Sequence, residues 1–188
     1  MKITCIVGSA RDDGSCAYLV DKFIEGIGGN AEVRRYFIGR ADLRFCRGCK
    51  ACYLDGECVQ QDDAKGIVLD LLSSDYAVIA APSYWAGVPA QLKTLFDRST
   101  PYGDTNPNRK YMPRKGIKGV AIAVRAGVND AENQLILNCL QHYFGHLGIE
   151  TVKRVSIRET DALCDLLQKR QSEIEEIKQF AKTLSTQT

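Results

Sequence analysis

The chain has 188 residues, of which 45% are hydrophobic and 26% charged, the composition of an ordinary globular protein. Its formal net charge of +2 argues against a nucleic-acid partner, because such binders usually carry a clustered basic face. The sequence has no run of the roughly 18 apolar residues that a membrane span needs. The N-terminus carries acidic residues where a signal peptide would be cleaved, so we expect one domain, residues 1–188, in the cytoplasm.

Strand and helix patterns alternate along the chain. Strands are predicted at residues 3–7, 32–38, 76–81, 117–124 and 151–157, of which 3–7 and 76–81 are apolar runs and 117–124 is rich in β-branched and small residues. Apolar residues at helical spacing predict helices at residues 16–27, 62–72, 88–98, 129–146 and 163–184. Asn129 and Glu132 fit a capping box at the start of the fourth helix. Residues 41–61 and 99–116 are expected to be irregular.

Five strands, each followed by a helix, predict an α/β fold with a parallel sheet covered on both faces. Strands that are apolar throughout agree with this arrangement, because each would be buried on two sides. Right-handed crossovers leave two common doubly wound orders, and five strands fit the flavodoxin-like order 2-1-3-4-5. In such folds a ligand binds beyond the carboxyl ends of the strands, where the strand order reverses.

The loop after the first strand, residues 8–16, is therefore the first place to look for a ligand. It is not the G-x-G-x-x-G fingerprint, and Ser15 stands where a P-loop would have lysine. It offers two hydroxyls, one arginine and the N–H groups of a helix N-terminus, which suit a monophosphate. A polar strand-to-helix turn with Ser15 as its cap is the alternative.

The segment from Ala81 to Lys93, APSYWAGVPAQLK, followed by Phe96-Asp97-Arg98, resembles the flavin segment of the NAD(P)H-dependent FMN reductase family. The similarity covers most of the chain. It implies a flavodoxin-like, FMN-containing, NAD(P)H-dependent oxidoreductase that forms a homodimer or homotetramer. By this resemblance the residues that bind FMN are Ser9, Arg11, Gly14, Ser15, Cys16, Pro82, Ser83, Tyr84, Trp85, Ala86, Gly87, Arg125 and Gly127. Cys16 stands where the family often has threonine, and Ser15 where it often has asparagine.

The chemistry of this segment agrees with the resemblance. Pro82 ends the third strand, and two aromatic residues then follow at the ligand edge of the sheet. A flat ring system needs an aromatic or apolar wall, and Gly87 is expected to allow a close backbone approach. The alternative is that Tyr84 and Trp85 form a surface or subunit-interface pair.

Four of the eight cysteines lie within the irregular segment 41–61, here called the cysteine segment. Cys46, Cys49, Cys52 and Cys58 match the compact motif of the iron–sulfur flavoproteins, a branch of the same family, which implies a [4Fe–4S] cluster. Three cysteines two residues apart can fold around one cluster, and Gly48 and Gly56 permit tight turns. Structural zinc and thiols without metal remain open alternatives.

The segment follows the second strand, so we expect a cluster to lie near a flavin of the same or a neighbouring subunit. Nicotinamide delivers two electrons as hydride whereas a cluster accepts one at a time, and flavin can do both. The electron acceptor is open among free flavin, a quinone, oxygen and a redox protein. A flavodoxin-type carrier and a regulatory module with structural zinc are the alternative functions.

Several other residues are given packing roles. Cys5, Cys139 and Cys164 are expected on core faces. His142 and His146 are spaced i, i+4 and can share a metal, but no glutamate follows His142 and the adjacent aromatic residues favour packing. The basic residues around 99–118 can attract NAD(P)H phosphates, or can belong to a solvated loop or a subunit contact.

Overall fold

The computed structural model describes residues 1–29 and 31–185, and its centre is a sheet of five parallel strands. The strands are β1 (Lys2–Val7), β2 (Glu32–Phe37), β3 (Tyr76–Pro82), β4 (Lys118–Val124) and β5 (Glu150–Ile157). Their order is β2-β1-β3-β4-β5, which confirms the predicted flavodoxin-like topology. β1, β3 and β4 are almost completely buried because helices cover both of their faces.

Seven α-helices and one 3-10 turn complete the fold within these described residues. They are α1 (Ser15–Ile27), α2 (Cys52–Asp55), α3 (Ala64–Ser73), α4 (Ala90–Arg98), the 3-10 turn Thr100–Tyr102, α5 (Ala131–His146), α6 (Leu163–Lys169) and α7 (Gln171–Ser185). One apolar core lies between the sheet and α3, α4 and α5, and a second lies between the sheet and α1, α6 and α7. No described helix is long and apolar enough to cross a bilayer.

Helices α1 and α7 pack closely at a glycine. A Cβ on Gly26 would stand 2.3 Å from the carbonyl oxygen of Lys178 and 2.8 Å from Cβ of Ala181. A larger residue at this position would therefore push the last helix away from the sheet. This contact fixes the C-terminal helix against the first βα unit, whose loop forms part of the candidate site.

The last predicted helix is wrong as a single element, because the chain breaks at Arg170 between α6 and α7. Arg170 leaves helical geometry with φ −128° and ψ 33°. Its guanidinium pairs with Glu159 and Glu173, and its Nε donates to the carbonyl of Arg158. These contacts join the β5–α6 loop to the start of α7, and they offset the loss of helical hydrogen bonds at the break.

Two smaller predictions are also wrong. The predicted capping box does not form: Asn129 Oδ1 accepts from the N–H of Ala131 at 2.9 Å, whereas Glu132 turns toward the strand ends. Cys164 is exposed and not on a core face, and Cys139 is half-buried. Cys5 is fully buried, as predicted.

Candidate functional site

A cavity of about 120 Å³ lies at the carboxyl ends of the strands, and here it is called the crevice cavity. The first loop contributes Ser9, Arg11, Gly14, Ser15 and Cys16. The segment after β3 contributes Pro82, Ser83 and Tyr84, and the end of β4 contributes Arg125. Nine of the thirteen residues chosen from the sequence are thus brought together by the fold. Trp85, Ala86, Gly87 and Gly127 do not line this cavity.

The first loop is held tightly against the neighbouring strand. The N–H of Gly8 donates to the carbonyl of Ala80 at 2.8 Å, and a Cβ on Gly8 would stand 2.6 Å from Leu92. Ser9 is buried, and its Oγ accepts from the N–H of Arg11 at 3.1 Å. These contacts set the backbone of the loop, and Gly14, Ser15 and Cys16 bring the N-terminus of α1 to the wall of the cavity.

Arg11 is the cationic side chain of this loop. It is exposed, and its Nη2 contacts the carbonyl oxygen of Asp161 at the limit of a hydrogen bond, 3.4 Å. Such a weak contact costs little to break, so the guanidinium can turn toward an anion above the helix N-terminus.

Cys16 lies at the base of the same loop as a neutral thiol. Burial raises the pKa of Cys16 to about 12, although Arg11 lowers it slightly. A neutral thiol does not repel a phosphate. Cys16 thus fills space at the anion site without adding negative charge.

Ser83, Glu132 and Arg125 form a bridge across the crevice cavity. Ser83 Oγ donates to Glu132 Oε2 at 3.1 Å, and Glu132 Oε1 pairs with Arg125 Nη2 at 3.2 Å. Arg125 Nη1 also donates to the carbonyl of Asn129 at 2.5 Å, while its buried Nε has no partner. The bridge thus holds the guanidinium of Arg125 by both of its terminal nitrogens. Gly127 leaves room for this side chain, since a Cβ there would lie 2.5 Å from Arg125 Nη2.

Residues Tyr84 to Gly87 form a tight turn whose tip projects into solvent. The N–H of each terminal residue donates to the carbonyl of the other, at 2.9 and 3.0 Å. The two central residues, Trp85 and Ala86, have φ values of 54° and 60°, which non-glycine residues rarely adopt. Two strained residues of this kind cost about 1–3 kcal/mol each and cluster at functional sites.

The positions of the two aromatic residues differ from the sequence prediction. Tyr84 lines the crevice cavity, whereas the Trp85 side chain is completely exposed. The φ of Gly87 is not positive, and a Cβ there would meet only an ordinary 3.5 Å contact within the chain, so the predicted close approach to a ligand stays a prediction. The unusual backbone lies one and two residues earlier.

Four further residues line the crevice cavity that sequence reasoning missed: Val124, Ala126, Thr160 and Asp161. Thr160 and Asp161 follow β5, and the N–H of Thr160 donates to the carbonyl of Arg125 at 2.9 Å. The rule that ligands bind beyond the carboxyl ends of the strands applies to the loop after β5 too, but it was used only for the first loop. Glu132 was missed because its spacing from Asn129 matched a capping motif.

A second cavity, of about 160 Å³, is here called the cysteine cavity. It is lined by all four cysteines of the cysteine segment: Cys46, Cys49, Cys52 and Cys58. Gly48 and Gly56 adopt φ values of 63° and 75°, which confirms the predicted glycine turns. Burial raises the pKa of Cys52, and the other three thiols raise it further. Each of the other three thiols therefore lies close enough to Cys52 to interact with it electrostatically. Over residues 1–29 and 31–185, no three His, Cys, Asp or Glu side chains converge as one metal ion requires.

The loop after α4 holds the cysteine segment in place. Asn106, which is almost fully buried, donates through Nδ2 to the carbonyl of Cys52 at 2.9 Å. Asn108 Nδ2 donates to the carbonyl of Tyr53 at 2.6 Å, and Tyr111 donates to Glu57 Oε1 at 3.0 Å. A Cβ on Gly56 would lie 2.1 Å from the carbonyl oxygen of Asn108. The polar side chains of this loop thus hold the cysteine segment in place by hydrogen bonds.

The cysteine cavity and the crevice cavity are separate within the chain. Asp97, Arg98, Thr100 and Pro101, at the C-terminal end of α4, form the wall behind the cysteines. The crevice cavity is formed by the first loop, the segment at the end of β3 and the loops after β4 and β5, and the two cavities share no lining residue. The expected proximity of a cluster to a flavin of the same or a neighbouring subunit stays a prediction.

Comparisons with known proteins find relatives of this chain in sequence and in fold. The model of a family described as NADPH-dependent FMN reductase matches residues 1–160. An iron–sulfur flavoprotein of Archaeoglobus fulgidus is 35% identical over 133 residues, 70% of this chain and 58% of that protein. An iron–sulfur flavoprotein of Methanosarcina thermophila is 29% identical over 188 residues, 89% of this chain and 96% of that protein.

A solved structure has the same fold at low identity. It is the NAD(P)H:quinone oxidoreductase from Methanothermobacter marburgensis, with a TM-score of 0.66 and 14% identity. The superposition covers 98% of this chain and 95% of that chain.

Proposed function

Because the chain belongs to the NADPH-dependent FMN reductase family, we propose that it is an NAD(P)H oxidoreductase that binds FMN in the crevice cavity. The observation that carries this proposal is the convergence of nine family-matched positions on one cavity at the strand ends. Bound FMN would accept hydride from NAD(P)H and release electrons to an acceptor. A quinone is one candidate acceptor, by similarity to the Methanothermobacter enzyme.

The first loop would bind the FMN phosphate. The N–H groups at the start of α1 supply hydrogen bonds and a partial positive charge. Arg11 would release Asp161 and pair with the phosphate, and the hydroxyl of Ser15 lies in the same cavity. The neutral thiol of Cys16 is compatible with this anion because it adds no charge.

Tyr84 and Arg125 would hold the flavin ring. Tyr84 lines the cavity and offers an aromatic wall, whose face favours a flat apolar surface. Arg125 keeps one buried N–H group unpaired, and a buried donor without a partner is costly unless a ligand accepts from it. The polar edge of an isoalloxazine ring supplies such acceptors. Glu132 positions the guanidinium for this contact.

Steady-state oxidation of NADH and NADPH by the flavin-loaded protein tests this proposal. Turnover with a quinone, free flavin or oxygen as acceptor is the expected result. A protein that binds FMN but oxidises neither nucleotide would instead be an electron carrier of the flavodoxin type. Such carriers are usually acidic, whereas this chain has a net charge of +2.

We further propose that the four cysteines of the cysteine cavity hold a [4Fe–4S] cluster. The cluster binds each thiolate on a different iron, so it requires sulfurs that surround a cavity and not sulfurs that converge on one point. The four cysteines surround one cavity of about 160 Å³, and glycines with positive φ allow the chain to wrap around it. The names of the Archaeoglobus and Methanosarcina relatives support the same assignment.

Substitution of single cysteines tests the cluster. Protein purified without oxygen should contain iron and acid-labile sulfide, and Cys49→Ser should lose both while FMN stays bound. Cys164→Ser is the matched control, because Cys164 is an exposed cysteine outside the cysteine segment. Wild-type protein that contains no iron would show that the cysteines bind zinc or remain thiols without metal. Loss of FMN together with iron would show that the two sites fold as one unit.

The separation of the two cavities supports assembly into a homodimer or homotetramer. Within one subunit the two cavities share no lining residue, so a neighbouring subunit can bring a cluster closer to the crevice cavity. The exposed Trp85 beside that crevice is the kind of side chain that becomes buried at an interface. We place the assembled protein in the cytoplasm, where a reduced cysteine site is compatible with the thiol pool.

A further inference from the structure

Two histidines face each other at the end of α5. The Nε2 atoms of His142 and His146 lie 3.1 Å apart, and their rings are nearly perpendicular, at 86°. The i, i+4 spacing places both side chains on one helix face. They line a cavity of about 280 Å³ between α4 and α5.

The distance between these nitrogens fits a shared metal ion. Two imidazoles at the usual Zn–N distance of about 2.0–2.1 Å, with their nitrogens 3.1 Å apart, enclose an angle of about 100° at the metal. This angle lies between the octahedral and the tetrahedral values. Since imidazole is a common ligand of zinc, copper and nickel, the geometry is that of two adjacent ligands of one such ion.

A carboxylate fixes the second histidine from behind. Asp104 Oδ1 lies 2.6 Å from Nδ1 of His146. A carboxylate can only accept a hydrogen bond, so Nδ1 carries a proton and Nε2, which faces His142, is the ring nitrogen that can bind a metal ion. Partners of this kind orient metal-binding histidines in many proteins. The N–H of Asp104 also donates to the carbonyl of His146 at 2.9 Å, which holds the two residues in register.

We propose that His142 and His146 form a binding site for a divalent transition metal ion such as Zn²⁺, with Asp104 as a positioning residue. Two imidazole nitrogens ligate the ion, and the open cavity leaves the remaining positions to water or to a small ligand. No third His, Cys, Asp or Glu among the described residues converges with them, so the ion exchanges readily. None of the residues that line this cavity also lines the crevice cavity, so the site is built without the proposed FMN ligands.

The site adjoins the cysteine segment. Tyr53, Asp97 and Thr100 line both the histidine-lined cavity and the cysteine cavity. A cation bound by the histidines would therefore stiffen the loop that carries Asp104 and contacts the cysteine segment. The metal site is nevertheless built from residues outside the four cysteines.

Histidine-selective ¹⁵N NMR of the flavin-loaded protein tests the proposal, because the chain contains only two histidines. Zinc taken up by cysteines does not appear in these signals. On titration with Zn²⁺, the Nε2 resonances of both histidines should shift together and saturate at one histidine-bound ion per chain. The His142→Ala variant should lose the saturable shift of His146.

Two further variants test whether Asp104 positions His146 for metal binding or whether any substitution in this loop weakens the binding of Zn²⁺. Asp104→Ala should weaken the binding of Zn²⁺ by about tenfold or more. Thr105→Ala, which changes another residue of the same cavity, should leave the affinity unchanged. Nε2 resonances that do not move at millimolar Zn²⁺, or that move equally in His142→Ala, would show a simple hydrogen bond between two imidazoles and overturn the proposal.

Discussion

Arg98 and Asp62 form a fully buried ion pair that anchors the cysteine segment to α4. The side chains of both residues are almost inaccessible to solvent. Arg98 Nη1 donates to Asp62 and to the carbonyl of Arg44, and its Nη2 donates to the carbonyl of Gln60 at 3.3 Å. Every one of these acceptors flanks the four cysteines in sequence. One arginine therefore closes the base of the segment and forms part of the wall of the cysteine cavity.

Removal of one member of this pair is expected to destabilise the protein strongly. Arg98→Met leaves the Asp62 carboxylate buried without its partner, and such losses cost about 3–5 kcal/mol. The double variant Arg98→Met/Asp62→Asn removes the stranded charge, so it should regain part of that free energy of unfolding. Urea unfolding followed by circular dichroism measures both values. Simple additivity of the two single substitutions would contradict a direct pair.

The same pair predicts a pH dependence. Burial by itself raises the pKa of Asp62, but hydrogen bonds from Arg98 and from the N–H groups of Arg44 and Ala64 outweigh it, so the pKa is lowered. A lowered pKa means that the stabilisation is complete above the unfolded value of about 3.9 and is lost as the pH falls further. The stability advantage of wild type over Asp62→Asn should therefore shrink below about pH 4. An advantage that stays constant down to the acid transition would show that the Asp62 charge contributes nothing.

Arg11→Ala is expected to weaken FMN binding more than any other single change in the first loop. A hydrogen bond between charged groups contributes about 1.5–3 kcal/mol, which corresponds to roughly tenfold or more in affinity. Quenching of flavin fluorescence gives the dissociation constant. Arg34→Ala on β2 is the control, since Arg34 does not line the crevice cavity. Equal affinities for Arg11→Ala and wild type would place the phosphate elsewhere.

Trp85→Gly is expected to disrupt subunit assembly without unfolding the chain. Glycine accepts the φ of 54° at this position, so the substitution removes the aromatic surface and also relieves backbone strain. Sedimentation velocity should show a smaller species, and the thermal midpoint of the isolated subunit should not fall. Wild-type protein that is already monomeric and still binds FMN tightly would refute an interface role for Trp85.

The sequence predicted the topology because its three central strands are apolar or small almost throughout and its breaks are regular. The rule that parallel strands end at one edge of the sheet pointed to the first loop, and the family resemblance supplied most of the other crevice residues. It missed the strained turn, since nothing in Tyr84-Trp85-Ala86-Gly87 distinguishes a positive φ at Trp85 from the expected freedom of Gly87. It also missed Arg98, whose role depends on segments far apart in sequence.

The break at Arg170 and the role of Glu132 were missed for a related reason. Local patterns favour a continuous helix and a capping box at these two places. The structure instead uses both side chains for contacts with other elements: Arg170 bridges the β5–α6 loop and α7, and Glu132 bridges Ser83 and Arg125. Such tertiary contacts override local propensity, and periodicity does not reveal them.

Anaerobic titration of the purified protein with NADPH and NADH, followed by visible absorption, distinguishes an FMN-dependent oxidoreductase from a protein without this activity. The protein should retain a flavin band, and one of the two nucleotides should bleach it stoichiometrically. Arg11→Ala should require added FMN to give the same response. Protein that binds no FMN when reconstituted, or whose bound flavin is reduced by neither nucleotide, would contradict the assignment as an FMN-dependent NAD(P)H oxidoreductase.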